Sequence, residues 1–254
     1  MLLYLSCAKT MTGKTRKQVP FKSEPRFLEE ARGHALELAR LPAEELGRLL
    51  RVNPKLAAEN YWRYQDFLSP EPSGLPALLA YTGIVFKHLR PDDFTDEDFR
   101  YAQSHLLVAS FLYGLLRPLD VVRCYRLEGN VRLSVHEDRT MFDYWKPLLT
   151  DYFIAAIQAQ GNVLLNIASG EMRDLVDWQR VSAAVQVVTP EFLVSKNGKP
   201  STVVVYAKMC RGEMARFVLK NRIEQPEALR QFCWEGFAYD ERLSKPGHPV
   251  FLLP

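Results

Sequence analysis

Residues 182–208 read "SAAVQVVTPEFLVSKNGKPSTVVVYAK", and this stretch gives the clearest indication of the fold. β-Branched residues fill two runs on either side of Asn197-Gly198, a dipeptide that strongly favours a two-residue β-hairpin turn. The second run leads directly into "AKMCRGEMARFVLKNRI", where apolar and basic residues recur with the period of an amphipathic helix. A hairpin that continues into such a helix predicts a mixed α/β architecture.

The rest of the chain alternates between strand-like and helix-like segments. Apolar runs at residues 1–6 and 162–169 have the length of buried strands, and helical periodicity fills much of the sequence between them. Three helices form an insertion near 26–80, and a later helix begins at Thr95 with a capping-box pattern. There is no internal repeat and no convincing linker. Residues 1–254 are therefore predicted to form a single compact domain of the α/β (α+β mixed) class around a mixed β-sheet.

Composition is that of an ordinary globular protein. Hydrophobic residues make up 47% of the 254 and charged residues 25%, which excludes a disordered or fibrous chain. The opening "MLLYLS" is too short for a signal sequence, and no apolar run approaches the ~20 residues of a membrane-spanning helix. We expect a cytoplasmic protein that does not bind a membrane, with a monomer as the favoured oligomeric state.

Cysteine and histidine show no metal-binding pattern. The cysteines are scattered without a Cys-x-x-Cys pair, and the histidines lack the spacing of metal ligands. Free cysteines are among the most often buried residues, which favours structural thiols. We expect no metal site and no cofactor, and direct iron binding is disfavoured for the same reason. The residues concerned are Cys7, Cys124, Cys210 and Cys233, and His34, His88, His105, His136 and His248.

Positive charge is concentrated in two segments. Residues 9–26 carry six basic side chains against one acid, and residues 196–222 carry seven against one. The formal net charge is only +3, so the remainder of the chain is acidic. If the two segments meet in space they produce one positive field, and otherwise they are two separately solvated basic faces. Both possibilities stay open on the sequence.

Two loops follow the predicted strands, where α/β folds commonly bind ligands. In "SCAKT" (6–10) a lysine between hydroxyl groups suits phosphate oxygens, although the glycines of a Walker A motif are missing. The alternative is a solvated lysine. "NIASGEM" (166–172) can orient a ligand or supply a general base. Alternatively, it is an ordinary turn into a helix with Ser169 as the N-cap.

The stretch "LYGLLRPLDVVRCYRLE" (112–128) contains a glycine turn that partly matches a helix-hairpin-helix. Such a turn holds DNA backbone on its amide groups, and Pro118 suits the first turn of a second helix. The second glycine of the motif is replaced by Leu116. The alternative is a structural turn whose arginines pair with neighbouring acids. The charged residues are Arg117, Asp120, Arg123, Arg126 and Glu128.

The basic helix near the C-terminal end places cations in its first turns. Lys208, Arg211 and Arg216 all belong to "YAKMCRGEMARF" (206–217). The helix dipole disfavours cations near a helix N-terminus unless an anion is held there. This position favours anion binding over a solvated face.

Seven blocks, in order and over nearly the whole chain, resemble the bacterial YaaA family. They are "LSCAKT", "YTGIVF", "FLYGLLRPLD", "YRLE", "NIAS-E", "YAKMCRGEMARFVLKNRI" and "WEGFAYDE". The resemblance implies a compact single-domain α/β fold with a positively charged cleft and a helix-hairpin-helix element. It also implies binding to double-stranded DNA and a cytoplasmic role in peroxide tolerance that limits iron-driven oxidative damage.

The family's strongest motifs map onto defined positions of this chain. These are Ser6, Ala8, Lys9 and Thr10; Tyr81, Thr82 and Gly83; Tyr113, Gly114, Leu116, Arg117, Pro118 and Asp120; Tyr125, Arg126, Leu127 and Glu128; Asn166, Ala168, Ser169 and Glu171; and Lys208, Arg211, Gly212 and Arg216. Three positions depart from the pattern. Cys7 replaces the usual proline, Gly170 stands where an acid is common, and Cys210 replaces a small residue.

Two functional hypotheses follow. The first is a DNA-binding protein of the peroxide stress response, with phosphate contacts from Lys9, Arg117, Arg123, Arg126, Lys208, Arg211 and Arg216. The second is an enzyme acting on a nucleotide or another anionic small molecule in the same cleft. No catalytic residue is assigned, and whether the chain is an enzyme stays open. Polar residues expected to line the cleft are Ser6, Thr10, Tyr81, Tyr113, Gly114, Asp120, Glu128, Asn166, Ser169 and Glu171.

Overall fold

The computed structural model of the chain describes residues 1–69 and 73–254. Its strands are β1 (Leu2–Ser6), β2 (Leu75–Pro76), β3 (Leu106–Ser110), β4 (Gly114–Leu116), β5 (Val121–Val122), β6 (Val163–Asn166), β7 (Gln186–Val188), β8 (Glu191–Lys196), β9 (Lys199–Ser201), β10 (Cys233–Trp234), β11 (Phe237–Lys245) and β12 (His248–Leu253). Its α-helices are α1 (Leu28–Ala39), α2 (Ala43–Leu50), α3 (Pro54–Asp66), α4 (Ala77–Ala80), α5 (Ile84–Leu89), α6 (Asp96–His105), α7 (Met141–Gln158), α8 (Trp178–Ala184) and α9 (Val204–Lys220). The mixed α/β class predicted from the sequence is confirmed.

Apolar strands build a central sheet with β1 in its middle. The strand order is β4-β3-β1-β6-β7, with β1, β3, β6 and β7 parallel and β4 an antiparallel edge strand. Leu2, Leu3 and Leu5 are all buried, as expected for a strand of a parallel sheet with both faces covered. Helix α6 contacts β1, and α7 contacts β4 and β6. The carboxyl ends of β1, β3 and β6 therefore lie along one edge of the sheet.

A second sheet contains the predicted hairpin. Its strand order is β10-β11-β12-β8-β9. Strands β8 and β9 are antiparallel, and Lys196 pairs with Lys199. Asn197 and Gly198 both adopt positive φ, 52° and 75°, which two-residue hairpin turns require. The prediction from the Asn-Gly dipeptide is confirmed.

The helices predicted between residues 26 and 67 correspond to α1, α2 and α3. The capping box before α6 is also confirmed. The Thr95 hydroxyl accepts a hydrogen bond from the Asp98 amide, and the Asp98 carboxylate accepts one from the Thr95 amide. Two amide groups at the start of α6 are satisfied in this way.

The strand predicted after the Asn-Gly turn is shorter than expected. Strand β9 ends at Ser201, and Val204 and Val205 begin helix α9 instead of extending the hairpin. Both valines are exposed, so burial of their side chains does not favour an extended strand at this point. Helix α9 packs against α5 and β8, and this packing overrides the local preference of the valines for a strand.

The stretch 112–128 does not form the helix-hairpin-helix-like element predicted from its glycine turn. It contains strands β4 and β5, and none of its residues is helical. Gly114 adopts a left-handed backbone with φ +71°, and a Cβ there would lie 2.9 Å from the Trp145 ring. Leu115 and Leu116 are buried and pair with β3. The prediction was wrong because pairing with the central sheet determines the structure of this stretch.

Within residues 1–69 and 73–254, no helix combines the length and the apolar character that crossing a bilayer requires.

Candidate functional site

The candidate site lies at the carboxyl edge of the central sheet, between β1 and β6. The chain leaves β1 toward β3 on one side and leaves β6 toward β7 on the other, so the loops after these two strands diverge. A crevice opens at such a switch point, and α/β proteins bind their ligands there. This chain has a cavity of about 340 Å³ at this place, which we call the switch-point cavity.

Segments that are distant in sequence contribute the cavity lining. These are the loops after β1, β3 and β6, the start of α5, residues 125–128 and the first turns of α9. Many of the residues predicted to form a site meet here. They are Ser6, Lys9, Thr10, Arg126, Glu128, Ser169, Glu171, Lys208 and Arg211. The two basic segments of the sequence thus both contribute cations to one cavity.

A pair of serines joins the loops that diverge from β1 and β6. The Ser169 amide donates a hydrogen bond to the Ser6 hydroxyl oxygen at 2.8 Å. The two hydroxyl oxygens are 3.0 Å apart. Ser169 precedes a short 3₁₀ helix and does not cap it with its side chain, so its hydroxyl and that of Ser6 are polar groups of the cavity.

Glu128 lies between two cations on the cavity wall. Its carboxylate is 2.9 Å from Lys9 Nζ and 3.1 Å from an Arg126 guanidinium nitrogen. The Lys9 side chain is 64% exposed and reaches the mouth of the cavity, whereas that of Arg126 is 18% exposed. Glu128 therefore holds the largely buried Arg126 and the exposed Lys9 together on the cavity wall.

Lys208 and Arg211 are the cations that α9 contributes. Within the described part of the chain, neither forms an ion pair with a carboxylate. Lys208 is exposed and Arg211 is half-buried. Burial lowers the pKa of Arg211, but guanidinium groups remain protonated in proteins. Arg211 thus contributes to the cavity a half-buried positive charge that forms no ion pair within the described residues.

Gly212 allows α9 to pack closely against α5 beside the cavity. A Cβ at this position would lie 2.2 Å from the Val85 carbonyl oxygen and 2.7 Å from the His88 Cβ. Only glycine fits between α9 and α5 here. As a result of this packing, Arg211 lies beside the α5 residues that line the cavity.

Cys7 and Tyr125 also line the cavity. In the sequence, Tyr125 belongs to a family motif and Cys7 is a departure from one, but neither was assigned to the site. Burial, together with the nearby carboxylates of Glu171 and Glu128, raises the pKa of the Cys7 thiol to about 12, although a hydrogen bond with Tyr125 opposes the rise. The thiol is therefore neutral at physiological pH. The Tyr125 hydroxyl lies 2.7 Å from the Ser110 hydroxyl and 2.8 Å from that of Tyr81. The sequence signal for both residues was their position next to lining residues, at the end of β1 and before Arg126.

Three of the predicted anion-binding arginines lie outside the cavity. Arg117 is exposed after β4. Arg123 donates hydrogen bonds to the carbonyl groups of Asp66 and Ser69. Arg216 pairs with Asp93 at 2.6 Å. These three arginines therefore do not line the switch-point cavity with Lys9, and anion binding by them stays a prediction.

Several predicted polar residues support the fold instead of lining the cavity. They are Tyr81, Tyr113, Gly114, Asp120 and Asn166. Asp120 shows the reason: its carboxylate accepts hydrogen bonds from the Arg117 amide and from the Ser23 hydroxyl, each at 2.7 Å. Asp120 thus fixes the turn after β4 and is not available to a ligand.

Among residues 1–69 and 73–254, no group of three or more His, Cys, Asp or Glu side chains is arranged to hold a metal ion.

This architecture is that of an α/β protein with a cavity at the switch point of its central sheet. A family model described as "Peroxide stress protein YaaA" matches residues 1–243, and the chain belongs to this family. The resemblance drawn from the sequence blocks is confirmed.

The relatives include a UPF0246 protein of Phocaeicola vulgatus, which is 59% identical over 253 residues and covers 100% of this chain and 99% of the relative. A UPF0246 protein of Bacteroides fragilis is 59% identical over 251 residues, covering 99% and 98%. One of Porphyromonas gingivalis is 42% identical over 257 residues, covering 100% of both.

Proposed function

We propose that this protein contributes to peroxide tolerance by binding duplex DNA through exposed cations at the switch-point cavity and on the loop that follows β1. Membership of the peroxide stress family supports the stress role. The cations are Lys9 and Lys208 at the mouth and Lys14 and Arg16 on the loop that leads away from it, and we call these four the basic rim. All four are exposed, and this observation carries the proposal.

Exposed lysine and arginine side chains neutralise phosphates irrespective of base sequence, and each contact releases condensed counter-ions. Binding through the basic rim would therefore be independent of sequence and sensitive to salt. The released counter-ions would include Fe²⁺ held on the phosphates. This release provides a physical route by which DNA binding limits iron-driven damage to DNA.

Fluorescence anisotropy with a mixed-sequence duplex tests the proposal across a salt series. Four phosphate contacts predict a roughly 100-fold loss of affinity between about 50 and 200 mM salt. The double variant Lys9→Ala/Lys208→Ala should reduce the slope of log affinity against log salt by about 2. The matched control, Lys55→Ala/Lys245→Ala, removes two exposed lysines that do not line the cavity and should keep the wild-type slope. Equal slopes for the two double variants would refute the proposal.

A second candidate function is an enzymatic reaction on a nucleotide or another anionic small molecule. The presence of the carboxylates Glu128 and Glu171 beside a half-enclosed cationic cavity supports it, because carboxylates serve as general acids and bases. Incubation with a panel of phosphorylated metabolites, followed by chromatography of the products, tests it. Turnover that disappears in Glu171→Gln is expected, and the absence of any product would rule the candidate out.

A further inference from the structure

We infer that the interior of the switch-point cavity is a binding site for a small phosphomonoester whose organic part is about the size of a nucleoside. The site shares Lys9 and Lys208 with the basic rim, but its phosphate contacts are Arg126 and Arg211, which are not part of the rim. The inference therefore goes beyond the proposed DNA binding, and it names a ligand class for the second candidate function without requiring a reaction. Four observations carry the inference: the volume of the cavity, its charge, the unpaired donors on its wall and the apolar character of the remaining lining.

The volume favours a single small molecule. At about 340 Å³, the cavity lies within the range of about 300 to 1,000 Å³ that is usual for small-molecule sites. A DNA duplex cannot enter it. A nucleotide or a compound of similar size can occupy it.

The charge of the cavity matches that of a phosphomonoester. Four cations line it, and two carboxylates oppose them, which leaves two positive charges uncompensated. A phosphomonoester carries about −1.5 to −2 near neutral pH. The cations are Lys9, Arg126, Lys208 and Arg211, and the carboxylates are Glu128 and Glu171. A nucleoside triphosphate carries more negative charge than the two uncompensated positive charges neutralise, and it is larger than a monophosphate.

The unpaired donors indicate where the phosphate binds. Arg211 is half-buried without a carboxylate partner in the described part of the chain. The Nε group of Arg126 is buried and has no hydrogen-bond acceptor there, although the same guanidinium pairs with Glu128. A buried donor or charge without a partner is costly, and planar guanidinium groups bind phosphate oxygens in a bidentate manner. A bound phosphate would satisfy both arginines.

The remaining lining accounts for the organic part of the ligand. Ile84, Phe111, Leu127 and Met172 provide an apolar surface, which suits a planar or aliphatic group. Glu171 and the paired hydroxyls of the two serine residues at the switch point accept hydrogen bonds. These acceptors suit ligand hydroxyl groups such as those of a sugar.

Isothermal titration calorimetry of the full chain with four probes tests the inference. The probes are adenosine monophosphate, adenosine, adenosine triphosphate and inorganic phosphate. We expect the monophosphate to bind at least 10-fold more tightly than adenosine, because adenosine has no phosphate that could engage Arg126 and Arg211, and more tightly than the triphosphate. No binding of any probe, or equal affinity for the monophosphate and adenosine, would overturn the inference.

Arg211→Met removes the charge but keeps an apolar stem, and it should weaken monophosphate binding at least 10-fold. The matched control is Arg180→Met, since Arg180 is an exposed arginine of α8 that pairs with Asp151 on the surface. It should bind like the wild type. If Arg211→Met unfolds, Lys208→Gln with Lys55→Gln as its control gives the same comparison at exposed positions. Unchanged monophosphate affinity in the folded cavity variant contradicts the inference.

A competition experiment distinguishes two sources of the bound phosphate, a free phosphomonoester and the DNA backbone. Monophosphate affinity that is unchanged in excess duplex supports a site for a free phosphomonoester. Displacement of the monophosphate by duplex overturns the separate site and assigns the cavity arginines to DNA. A protein that binds duplex but none of the small probes contradicts this inference alone, whereas binding of the monophosphate without duplex binding contradicts the DNA proposal alone.

Discussion

The two halves of helix α9 carry the same kinds of cation but use them differently. In the first half, Lys208 and Arg211 line the cavity and form no carboxylate ion pair within the described residues. In the second half, Arg216 lies 2.6 Å from an Asp93 oxygen and Lys220 lies 2.7 Å from an Asp98 oxygen. Carboxylates of segment 92–98 pair with the second half, and this difference separates the cations that form ion pairs within the protein from those that form none among the described residues.

Within α9, ion pairing distinguishes the cations better than residue type does, because both halves carry lysine and arginine. Asp98 is 5% exposed and accepts hydrogen bonds from both Lys220 and Arg222. These two cations are therefore committed to holding the C-terminal end of α9 against α6. A ligand that approached them would compete with a buried carboxylate, whereas at Arg211 it meets no such competitor.

The largest expected effect comes from the position between the two halves. Gly212→Ala places a methyl group against the Val85 carbonyl oxygen, so α9 must move away from α5. We expect the free energy of unfolding to fall by about 3 kcal/mol, with loss of ligand binding at the first half and weaker pairing at the second. Chemical denaturation measures the stability. Gly33→Ala is the control, because a Cβ at Gly33 meets nothing within 4 Å, and it should not destabilise the protein.

The second-largest effect is expected from a substitution that removes ion pairs of the second half of α9 alone. Asp98→Asn leaves Lys220 and Arg222 without their shared carboxylate and weakens the cap of α6. Removing one partner of a buried ion pair is destabilising, and since both cations are partly exposed we expect a loss of about 2 kcal/mol. Asp96→Asn is the matched control, an exposed acid in the same helical turn. Ligand binding at the first half should survive in Asp98→Asn. Its loss would show that the two halves are not independent.

The pH dependence of the free energy of unfolding provides a second test of the Asp98 ion pairs. Burial alone would raise the pKa of Asp98, but hydrogen bonds from Lys220, Thr95 and Arg222 outweigh it and hold the pKa below its ordinary value of 3.8. A lowered folded-state pKa stabilises the fold above the unfolded value, and this contribution is lost as the pH falls. Urea denaturation between about pH 5 and pH 2 should show a shallower loss of stability in Asp98→Asn than in the wild type. Equal slopes would contradict the assignment.

The local structure that the sequence predicted correctly depends on short-range chemistry. The turn at Asn197-Gly198, the capping box at Thr95 and the apolar strand at 1–6 are each specified by neighbouring residues. The positions of the site loops were also predictable, because parallel strands bring their carboxyl ends to one edge. Lys9, Ser169 and Glu171 all lie in the cavity for that reason.

The errors arise where the partner of a residue is distant in the sequence. Gly114 suggested a DNA-binding hairpin, but β4 pairs with β3, and Trp145 packs against the turn. Arg216 was grouped with Arg211 because they are neighbours on one helix. Its partner, Asp93, lies 123 residues earlier, and no local pattern indicates that contact.

The smallest expected effect distinguishes the two halves by stability. Arg216→Met removes the ion pair with Asp93, and the free energy of unfolding should fall by about 1 kcal/mol, because Asp93 is half-exposed and such pairs are weak. Arg211→Met removes a half-buried charge without a carboxylate partner while keeping apolar contact along the side chain. Its stability should stay within about 0.5 kcal/mol of the wild type. Parallel denaturation of the two variants measures the difference. An equal loss in both would mean that Arg211 is structural, and the distinction between the two halves of α9 would then fail.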